Sequence, residues 1–195
     1  MAERGRERIA VIDTETNWDN ALMSVGVVLA DAKTLRPLDA LYLIVTPEHE
    51  RGGLYADRLA LYEPSDLLFR FEAGERLQGF LKRHGVRRVF AYNARFDLGV
   101  LPELSNFVWH DIMRLAAYRE FNKCIPEAAE CFGTGRLKRD YGVEPMLRLL
   151  SGRRDYFETH NAMLDAFDEL TIMRLLGHDI EEYACAVVRC AETKK

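Results

Sequence analysis

The sequence has few cysteines and no long apolar run, and both features exclude whole classes of protein. Cys124, Cys131, Cys185 and Cys190 include no Cys-x-x-Cys spacing, which argues against the common zinc and redox motifs. We expect all four to be reduced residues of the core or of helices. No segment approaches the roughly 18 apolar residues that cross a bilayer, and the charged first eight residues do not resemble a signal peptide. We therefore expect a cytoplasmic protein with no membrane partner.

The sequence also lacks an excess of positive charge. Lys and Arg total 27 against 31 Asp and Glu, which gives a net charge of -4. This balance argues against a protein that coats nucleic acid, but not against an enzyme that acts on it. Gly-rich phosphate loops, Gly-x-Ser-x-Gly and Cys/His nucleophile contexts are missing too. With 195 residues, of which 48% are apolar, the chain is predicted to form a single domain over residues 1–195.

Short β-branched runs near the start of the chain predict a central strand and an antiparallel meander. Residues 9–12 are apolar on both faces, which is typical of a strand buried within a sheet. Residues 22–30 and 38–45 predict two further strands, and the turn residues between them favour antiparallel pairing. Residues 46–74 contain scattered Pro and Gly, and we expect an irregular excursion with a short helix at best.

The rest of the chain alternates helical and extended patterns. We predict a strand at 86–92 and helices at 75–84, 96–104, 112–118, 145–150, 161–176 and 180–190. Asp111 is assigned as the N-cap of its helix, His110 as part of that helix start, His178 as a helix end and His49 as a loop residue. The expected fold class is α/β, with a mixed β-sheet (an antiparallel meander plus parallel strands) covered by helices.

Two carboxylates follow the first predicted strand. Asp13 and Glu15 are two residues apart in an extended chain, so their side chains point the same way. Two like charges at the end of a buried strand need a compensating cation, and oxygen ligands suit Mg²⁺ or Mn²⁺ better than zinc. The same spacing recurs at Asp179 and Glu181, but only the first pair lies at the end of a predicted central strand.

Asp97 lies on the first turn of a predicted helix, directly after the strand that ends at Tyr92. Open α/β sheets bind their ligands at this edge. An acidic residue in a first turn also complements the helix dipole. Taken alone, Asp97 leaves both interpretations open.

His160 and Asp165 stand at the entrance of a strongly apolar helix. A carboxylate held among apolar neighbours is unfavourable unless a metal or partner compensates its charge. Five helical residues rotate a side chain by about 140°, so the two cannot share one helical face. We place His160 in the loop before the helix, where it can reach a water; the alternative is an ordinary helix-entry residue.

Together these segments resemble the DEDDh 3'-to-5' exonuclease superfamily, which includes the proofreading subunit of bacterial DNA polymerases, oligoribonuclease and ribonuclease T. The motifs that carry the resemblance are DTET (13–16), NARFD (93–97) and HNAMLDA (160–166). The resemblance covers residues 9–176 and implies a ribonuclease-H-like fold. It also implies that two divalent ions, Mg²⁺ or Mn²⁺, are held by four carboxylates and that His160 is the general base. Those carboxylates are Asp13, Glu15, Asp97 and Asp165.

The activity that the resemblance implies is release of nucleoside 5'-monophosphates from a free 3' end. The expected substrate is DNA, with single-stranded DNA or RNA as the nucleic-acid partner. An exoribonuclease acting on short or structured RNA is the alternative, and a non-catalytic nucleic-acid-binding module comes third. A protein partner or a homodimer is left open.

Two departures from the family pattern affect how the terminal nucleotide is held. Tyr92 stands where the second motif often has His, and Asn17 and Trp18 stand where Thr-Gly is common after the first motif. Trp18 either offers a stacking face or packs beside the meander. The predicted substrate-binding residues are Thr14, Thr16, Trp18, Asn93 and Phe96.

A run of cations precedes His160. Its members are Arg136, Lys138, Arg139, Arg148, Arg153 and Arg154. These side chains either contact substrate phosphates or form a solvated face of the protein, and the sequence supports both interpretations equally.

Overall fold

The fold is organised around one mixed β-sheet. The structure is a computed structural model that describes residues 7–188. The strands of this part of the chain are β1 (Arg8–Thr16), β2 (Leu22–Asp31), β3 (Pro37–Thr46), β4 (Asp66–Phe69), β5 (Arg88–Ala91), β6 (Val108–Asp111) and β7 (Val187–Val188). Their order across the sheet is β4-β3-β2-β1-β5-β6-β7. This arrangement confirms the predicted α/β fold and places β1 in the middle of the sheet.

The pairing combines an antiparallel meander with parallel strands, as predicted. β1 pairs antiparallel with β2, and β2 pairs antiparallel with β3. On its other side β1 pairs parallel with β5, which pairs parallel with β6. The carboxyl ends of β1 and β5 therefore lie side by side at one edge of the sheet, where ligands commonly bind in α/β proteins.

Helices cover both faces of the sheet. They are α1 (Arg70–Arg83), α2 (Arg95–Val100), α3 (Met113–Ala116), α4 (Val143–Ser151) and α5 (Ala162–Leu176). Ile9 and Val11 of β1 share one core with residues of α3, α4 and α5, whereas Ala10 and Ile12 share the other with residues of α1 and α2. Because side chains alternate along a strand, Asp13 and Glu15 continue the row of Val11 toward α5.

A glycine lets α5 approach the sheet at the level of Asp13. Gly26 of β2 is the register partner of Asp13 in the antiparallel pair. A Cβ atom at Gly26 would lie 2.2 Å from the carbonyl oxygen of Ala162, the first residue of α5. The missing side chain therefore allows the start of α5 to pack directly on the strand beside Asp13.

Both ends of α5 are capped. The side chain of Asn161 accepts hydrogen bonds from the backbone N–H groups of Met163 and Leu164, which caps the first turn. Gly177 ends the helix in the left-handed conformation at φ 70°. The helix predicted over 161–176 is therefore confirmed, and His160 precedes it.

The segment 46–74 contains more regular structure than we expected. It holds two 3₁₀ helices (Glu48–Arg51 and Ala56–Leu61), strand β4 and the start of α1. β4 pairs parallel with β3 at the sheet edge. It has only four residues, which is too short to show an alternating pattern. α1 begins at Arg70 instead of residue 75. At this start the carboxylate of Glu72 accepts a hydrogen bond from the backbone N–H of Phe69 at 3.0 Å.

The helix start assigned to His110 and Asp111 is wrong, because both residues belong to strand β6. His110 is buried and its ring stacks on Phe90, with 4.7 Å between ring centroids. Asp111 does accept the backbone N–H of Met113 at 3.0 Å. The helix that follows is short, however, because α3 covers only Met113–Ala116.

The C-terminal helix and Cys124 also need correction. The helix predicted over 180–190 is, in its described part, a 3₁₀ helix (Ile180–Ala186) followed by β7, and residues 189–190 lie outside the described residues. Cys124, Cys131 and Cys185 are free thiols, as expected. Cys131 packs against the core and Cys185 lies in the 3₁₀ helix, whereas Cys124 is exposed in a turn and is neither a core nor a helix residue. Cys190 lies outside the described residues. Within residues 7–188, no helix has both the length and the apolar character that a membrane span requires.

Candidate active site

All five residues predicted to be catalytic meet at the carboxyl edge of β1 and β5. Asp13 and Glu15 project from β1, and Asp97 lies on the first turn of α2, just beyond β5. Asp165 lies on the first turn of α5, and His160 lies in the loop before that helix. Asp97, Asp165 and Glu15 all lie close enough to Asp13 to raise the pKa of its carboxyl group.

A threonine holds Asp97 in place. Thr14 points to the opposite face from its neighbours Asp13 and Glu15, because side chains alternate along β1. There its hydroxyl donates a 2.7 Å hydrogen bond to Oδ1 of Asp97. Asp97 is only 2% exposed, and burial raises the pKa of its carboxyl to about 7 although the Thr14 hydrogen bond opposes this shift.

The turn that presents Asp97 depends on Asn93. Asn93 follows β5 with a left-handed φ of 65°, a conformation that asparagine tolerates better than most residues. Its backbone N–H donates to Oδ1 of Asp111 at 2.9 Å. This contact ties the turn after β5 to the end of β6, so the end of the sheet fixes the start of α2.

Glu15, His160 and Asp165 form an outer group of possible metal ligands. One donor atom from each of the three lies within 4.8 Å of the others. Burial, followed by the charge of Glu158, raises the pKa of Glu15 to about 7 and that of Asp165 to about 8. The hydroxyl of Thr159 donates to Oδ1 of Asp165 at 3.2 Å. The repulsion among these acids favours a bound cation.

His160 is held by a residue from the distant segment after β3. Its imidazole stacks on the ring of Tyr55, with 3.9 Å between ring centroids and 9° between ring planes. The backbone of His160 is left-handed at φ 54°, which a non-glycine residue adopts at a cost of about 1 kcal/mol or more. Burial lowers the pKa of His160 below its ordinary value. The imidazole is therefore biased toward its neutral, proton-accepting form.

Asn161, the residue after His160, joins the loop before α5 to the segment after β3 through hydrogen bonds. The side-chain amide of Asn161 donates to the carbonyl oxygen of Arg58 at 2.9 Å and to the hydroxyl of Tyr42 at 3.1 Å. Its oxygen caps α5 at the same time. The loop that carries His160 is thus fastened both to the excursion after β3 and to the helix that carries Asp165.

The donor set fits divalent cations that prefer oxygen ligands. Oδ2 of Asp13 is buried without a hydrogen-bond partner. No ion pair within residues 7–188 joins an arginine or lysine to Asp13, Glu15, Asp97 or Asp165. Buried carboxylates without a cation are unfavourable. Mg²⁺ or Mn²⁺ would offset this charge, and these four carboxyl groups are the residues that could hold it.

Several residues that act on the site escaped the sequence analysis, among them Thr159, which bonds Asp165. Glu158 and Glu169 raise the pKa values of the predicted acids, Tyr55 stacks on His160, and the charge of Arg58 helps to lower the pKa of His160. Glu169 had a recognisable signal, because it is an acid in the same apolar helix and four residues after Asp165. No local pattern distinguishes Tyr55 or Arg58.

The predicted substrate-binding residues differ in their exposure to solvent. Trp18 is 68% exposed and Phe96 is 45% exposed, while Asn93 is also open to solvent. The exposure of Trp18 contradicts packing beside the meander, although one edge of its indole lies beside Gly52. Thr14 is buried and supports Asp97, and Thr16 is partly buried at the end of β1. Contacts between these residues and nucleic acid remain predictions.

Three of the six cations before His160 already have partners within the protein. Arg139 pairs with Glu130 at 2.8 Å, and Arg148 pairs with Glu144 at 2.9 Å. Arg136 lies over the rings of Phe132 and Tyr141. The other members of the run, Lys138, Arg153 and Arg154, are exposed. A role for this run in phosphate binding remains a prediction.

Comparison with known proteins gives a clear result for structure and none for sequence. No family model matches the chain, and no curated protein matches it. Among solved structures, the nuclease domain of 3'hExo, a DEDDh family member bound to rAMP, superposes with a TM-score of 0.64 at 17% identity. The superposition covers 97% of this chain and 100% of that domain. The chain has the fold of the DEDDh 3'-exonucleases.

Other solved exonucleases have the same fold. A full-length 3'-exonuclease superposes with a TM-score of 0.64 at 15% identity, over 97% of this chain and 93% of that one. E. coli exonuclease I in complex with a dT13 oligonucleotide superposes with a TM-score of 0.62 at 12% identity. That match covers 92% of this chain but only 42% of exonuclease I. The predicted ribonuclease-H-like fold is therefore confirmed.

Proposed function

We propose that this protein is a metal-dependent 3'-to-5' exonuclease that releases nucleoside 5'-monophosphates. The observation that carries the proposal is the meeting of Asp13, Glu15, Asp97, Asp165 and His160 at one edge of a sheet with the fold of 3'-exonucleases. Fold alone does not define activity, so the argument depends on these side chains. Their burial and mutual repulsion are unfavourable for a merely structural site.

Asp13, Glu15, Asp97 and Asp165 would hold two divalent cations. Bound at this site, the cations would supply the positive charge that activates a water and stabilises the leaving 3' oxygen. Thr14 orients Asp97 through its hydroxyl, and Thr159 orients Asp165 in the same way. These hydrogen bonds limit the rotation of the two ligands that come from helices.

His160 accepts the proton of the attacking water. Three features of its surroundings support this role: its ring lies near Glu15 and Asp165, Tyr55 restricts its orientation, and burial lowers its pKa. A general base must be unprotonated at the operating pH and within reach of the water. A neutral imidazole in the loop before α5 meets the first condition and is well placed for the second.

The proposed substrate is a single strand with a free 3'-hydroxyl, and DNA is the first candidate. The exposed rings of Trp18 and Phe96 provide faces on which bases stack, and Arg58 adds a positive charge near His160. RNA is the second candidate because 3'hExo, whose nuclease domain matches over its whole length, was solved with rAMP. A single-domain chain and a cytoplasmic location remain predictions of the sequence.

The direct test is digestion of matched DNA and RNA oligonucleotides that carry a 5' label. We expect a ladder that shortens from the 3' end, with nucleoside 5'-monophosphates as products, in Mg²⁺ or Mn²⁺ and none in excess chelator. An oligonucleotide blocked at its 3' end and a covalently closed circle should both resist. Asp165→Asn, which removes one ligand charge, is the inactive control. Rapid cutting of the closed circle would identify an endonuclease, and binding without hydrolysis would favour a non-catalytic module.

A further inference from the structure

A fifth carboxyl group lies beside the four predicted ligands. Glu169 stands four residues after Asp165 on α5, so both side chains project from the same face of the helix. Glu169 is only 1% exposed, and its Oε2 atom has no hydrogen-bond partner. A buried polar atom without a partner is rare in folded proteins and requires an explanation.

The surroundings of Glu169 are acidic. The charges of Asp97, Asp165 and Glu158 raise its pKa in addition to burial, and only the backbone N–H of Tyr92 acts in the opposite direction. Glu169 is in turn the charged neighbour that raises the pKa of Asp13 most strongly. Within residues 7–188, no lysine or arginine forms an ion pair with Glu169.

Two oxygen atoms in this inner part of the site are therefore buried and unpartnered. They are Oδ2 of Asp13 and Oε2 of Glu169. The outer group of Glu15, His160 and Asp165 contains neither atom. A divalent cation is a ligand that satisfies several carboxylate oxygens at once and also cancels their repulsion.

We propose that Glu169 is a fifth carboxylate of the metal centre and that it holds a divalent cation together with Asp13. This inference rests on the proposed function, because it assumes that the site binds metal. Glu169 thereby becomes a ligand contributed by the third turn of an apolar helix, outside the three sequence motifs. It increases the negative charge on the inner side of the site, next to β1 and α2.

The test is to measure Mn²⁺ binding to the full chain without substrate. Calorimetry gives the affinity and the number of bound ions, and the rise in Tm that Mn²⁺ produces gives an independent measure of binding. We expect Glu169→Gln to weaken Mn²⁺ binding at least about tenfold or to remove one bound ion. We also expect a higher Tm without metal, because the substitution removes a repelling charge. Glu75→Gln is the control, because it makes the same change at an exposed carboxylate of α1, away from the site. This control should bind Mn²⁺ like the wild type.

Glu169→Met provides a second variant, apolar and similar in length, and should give the same loss of Mn²⁺ binding. Either variant with wild-type Mn²⁺ affinity and stoichiometry would overturn the role of Glu169. A metal-free Tm below that of the wild type would also overturn it, because Glu169 would then be a structural acid. Nuclease activity with unchanged metal binding in Glu169→Gln rejects only this inference. A wild-type protein that binds no Mn²⁺ rejects the proposed function as well.

Discussion

The ring of Tyr55 lies parallel to the imidazole of His160, with 3.9 Å between their centroids. The two residues come from distant parts of the chain, and Asn161 joins the same segments through hydrogen bonds to the carbonyl oxygens of Arg58 and Leu59. The predicted general base is therefore positioned by a stacked ring and by an anchored neighbour. A loop residue with one permitted orientation is better suited to proton transfer than one free to rotate.

Replacement of Tyr55 tests this positioning. Tyr55→Ala should lower turnover by about 10- to 100-fold, because the imidazole loses the face that orients it. Tyr55→Phe keeps the ring and should retain near wild-type turnover. Mn²⁺ affinity should stay within about twofold in both variants, since Tyr55 is not a ligand. Equal losses in Ala and Phe variants would show that the hydroxyl matters and that stacking does not.

The role of His160 is tested by its pH profile. His160→Ala should lower turnover by about 10²- to 10⁴-fold, the usual effect of losing a proton-transfer group, with little change in metal affinity. The wild-type rate should rise with pH through the pKa of the imidazole, because only the neutral form accepts a proton. Burial lowers that pKa, so the midpoint should lie below about 6.5.

Metal-bound water can titrate in a similar range, so the variant decides the assignment. His160→Ala should lose the acidic limb of the profile. A variant with a near-normal rate and an unchanged limb would remove His160 from the mechanism. A variant with reduced stability but normal activity would instead support the helix-entry interpretation.

The acidic cluster should make the metal-free protein less stable as pH rises. The pKa is about 7 for Glu15 and Asp97 and about 8 for Asp165, each above its usual value near 4. Between about pH 4 and pH 8 the folded state therefore binds more protons than the unfolded state. The free energy of unfolding that these extra protons contribute is fully present below about pH 4 and is lost as the pH rises toward 8. Thermal unfolding in chelator should give a lower Tm at pH 8 than at pH 5.

Mg²⁺ or Mn²⁺ should restore the Tm at pH 8, because bound cations replace the protons. Asp165→Asn should reduce the fall in Tm between pH 5 and 8, remain folded without metal and lose turnover. Asp19→Asn, which changes an exposed carboxylate, is the control and should keep the wild-type slope. A wild-type Tm that rises steadily from pH 5 to 8 in chelator would contradict the electrostatic account.

The close approach of α5 to β2 should make Gly26 intolerant of any side chain. In Gly26→Ala the new Cβ would lie 2.2 Å from the carbonyl oxygen of Ala162, so the helix must move away from Asp13. We expect a loss of about 2 kcal/mol or more in unfolding free energy, with reduced Mn²⁺ affinity. Gly79→Ala is the control, because a Cβ there meets nothing within 4 Å. It should stabilise α1 by about 0.5–1 kcal/mol.

Much of the fold was predictable because its central elements have strong local patterns. β1, β2 and β3 are long enough to show their apolar character, and α5 carries both a capping asparagine and a terminal glycine. The strands that we missed are β4, β6 and β7, which have four residues or fewer. β5 is equally short but was found because its residues are almost all apolar or β-branched, whereas β4, β6 and β7 are evident only from their pairing with a neighbouring strand.

The sequence by itself placed β1, β2, β3, β5 and α5 in order, and it located the acids near the end of β1, just after β5 and on the first turn of α5. It did so because spacing along a strand or helix already fixes the direction of each side chain. Only the tertiary structure decided which distant groups come together: Tyr55 stacks on His160, Thr14 bonds Asp97, and the charge of Glu169 lies close enough to raise the pKa of Asp13. Those contacts depend on how far α5 and the segment after β3 approach the sheet. Packing also decided the burial of each acid, and burial is the main cause of the raised pKa values.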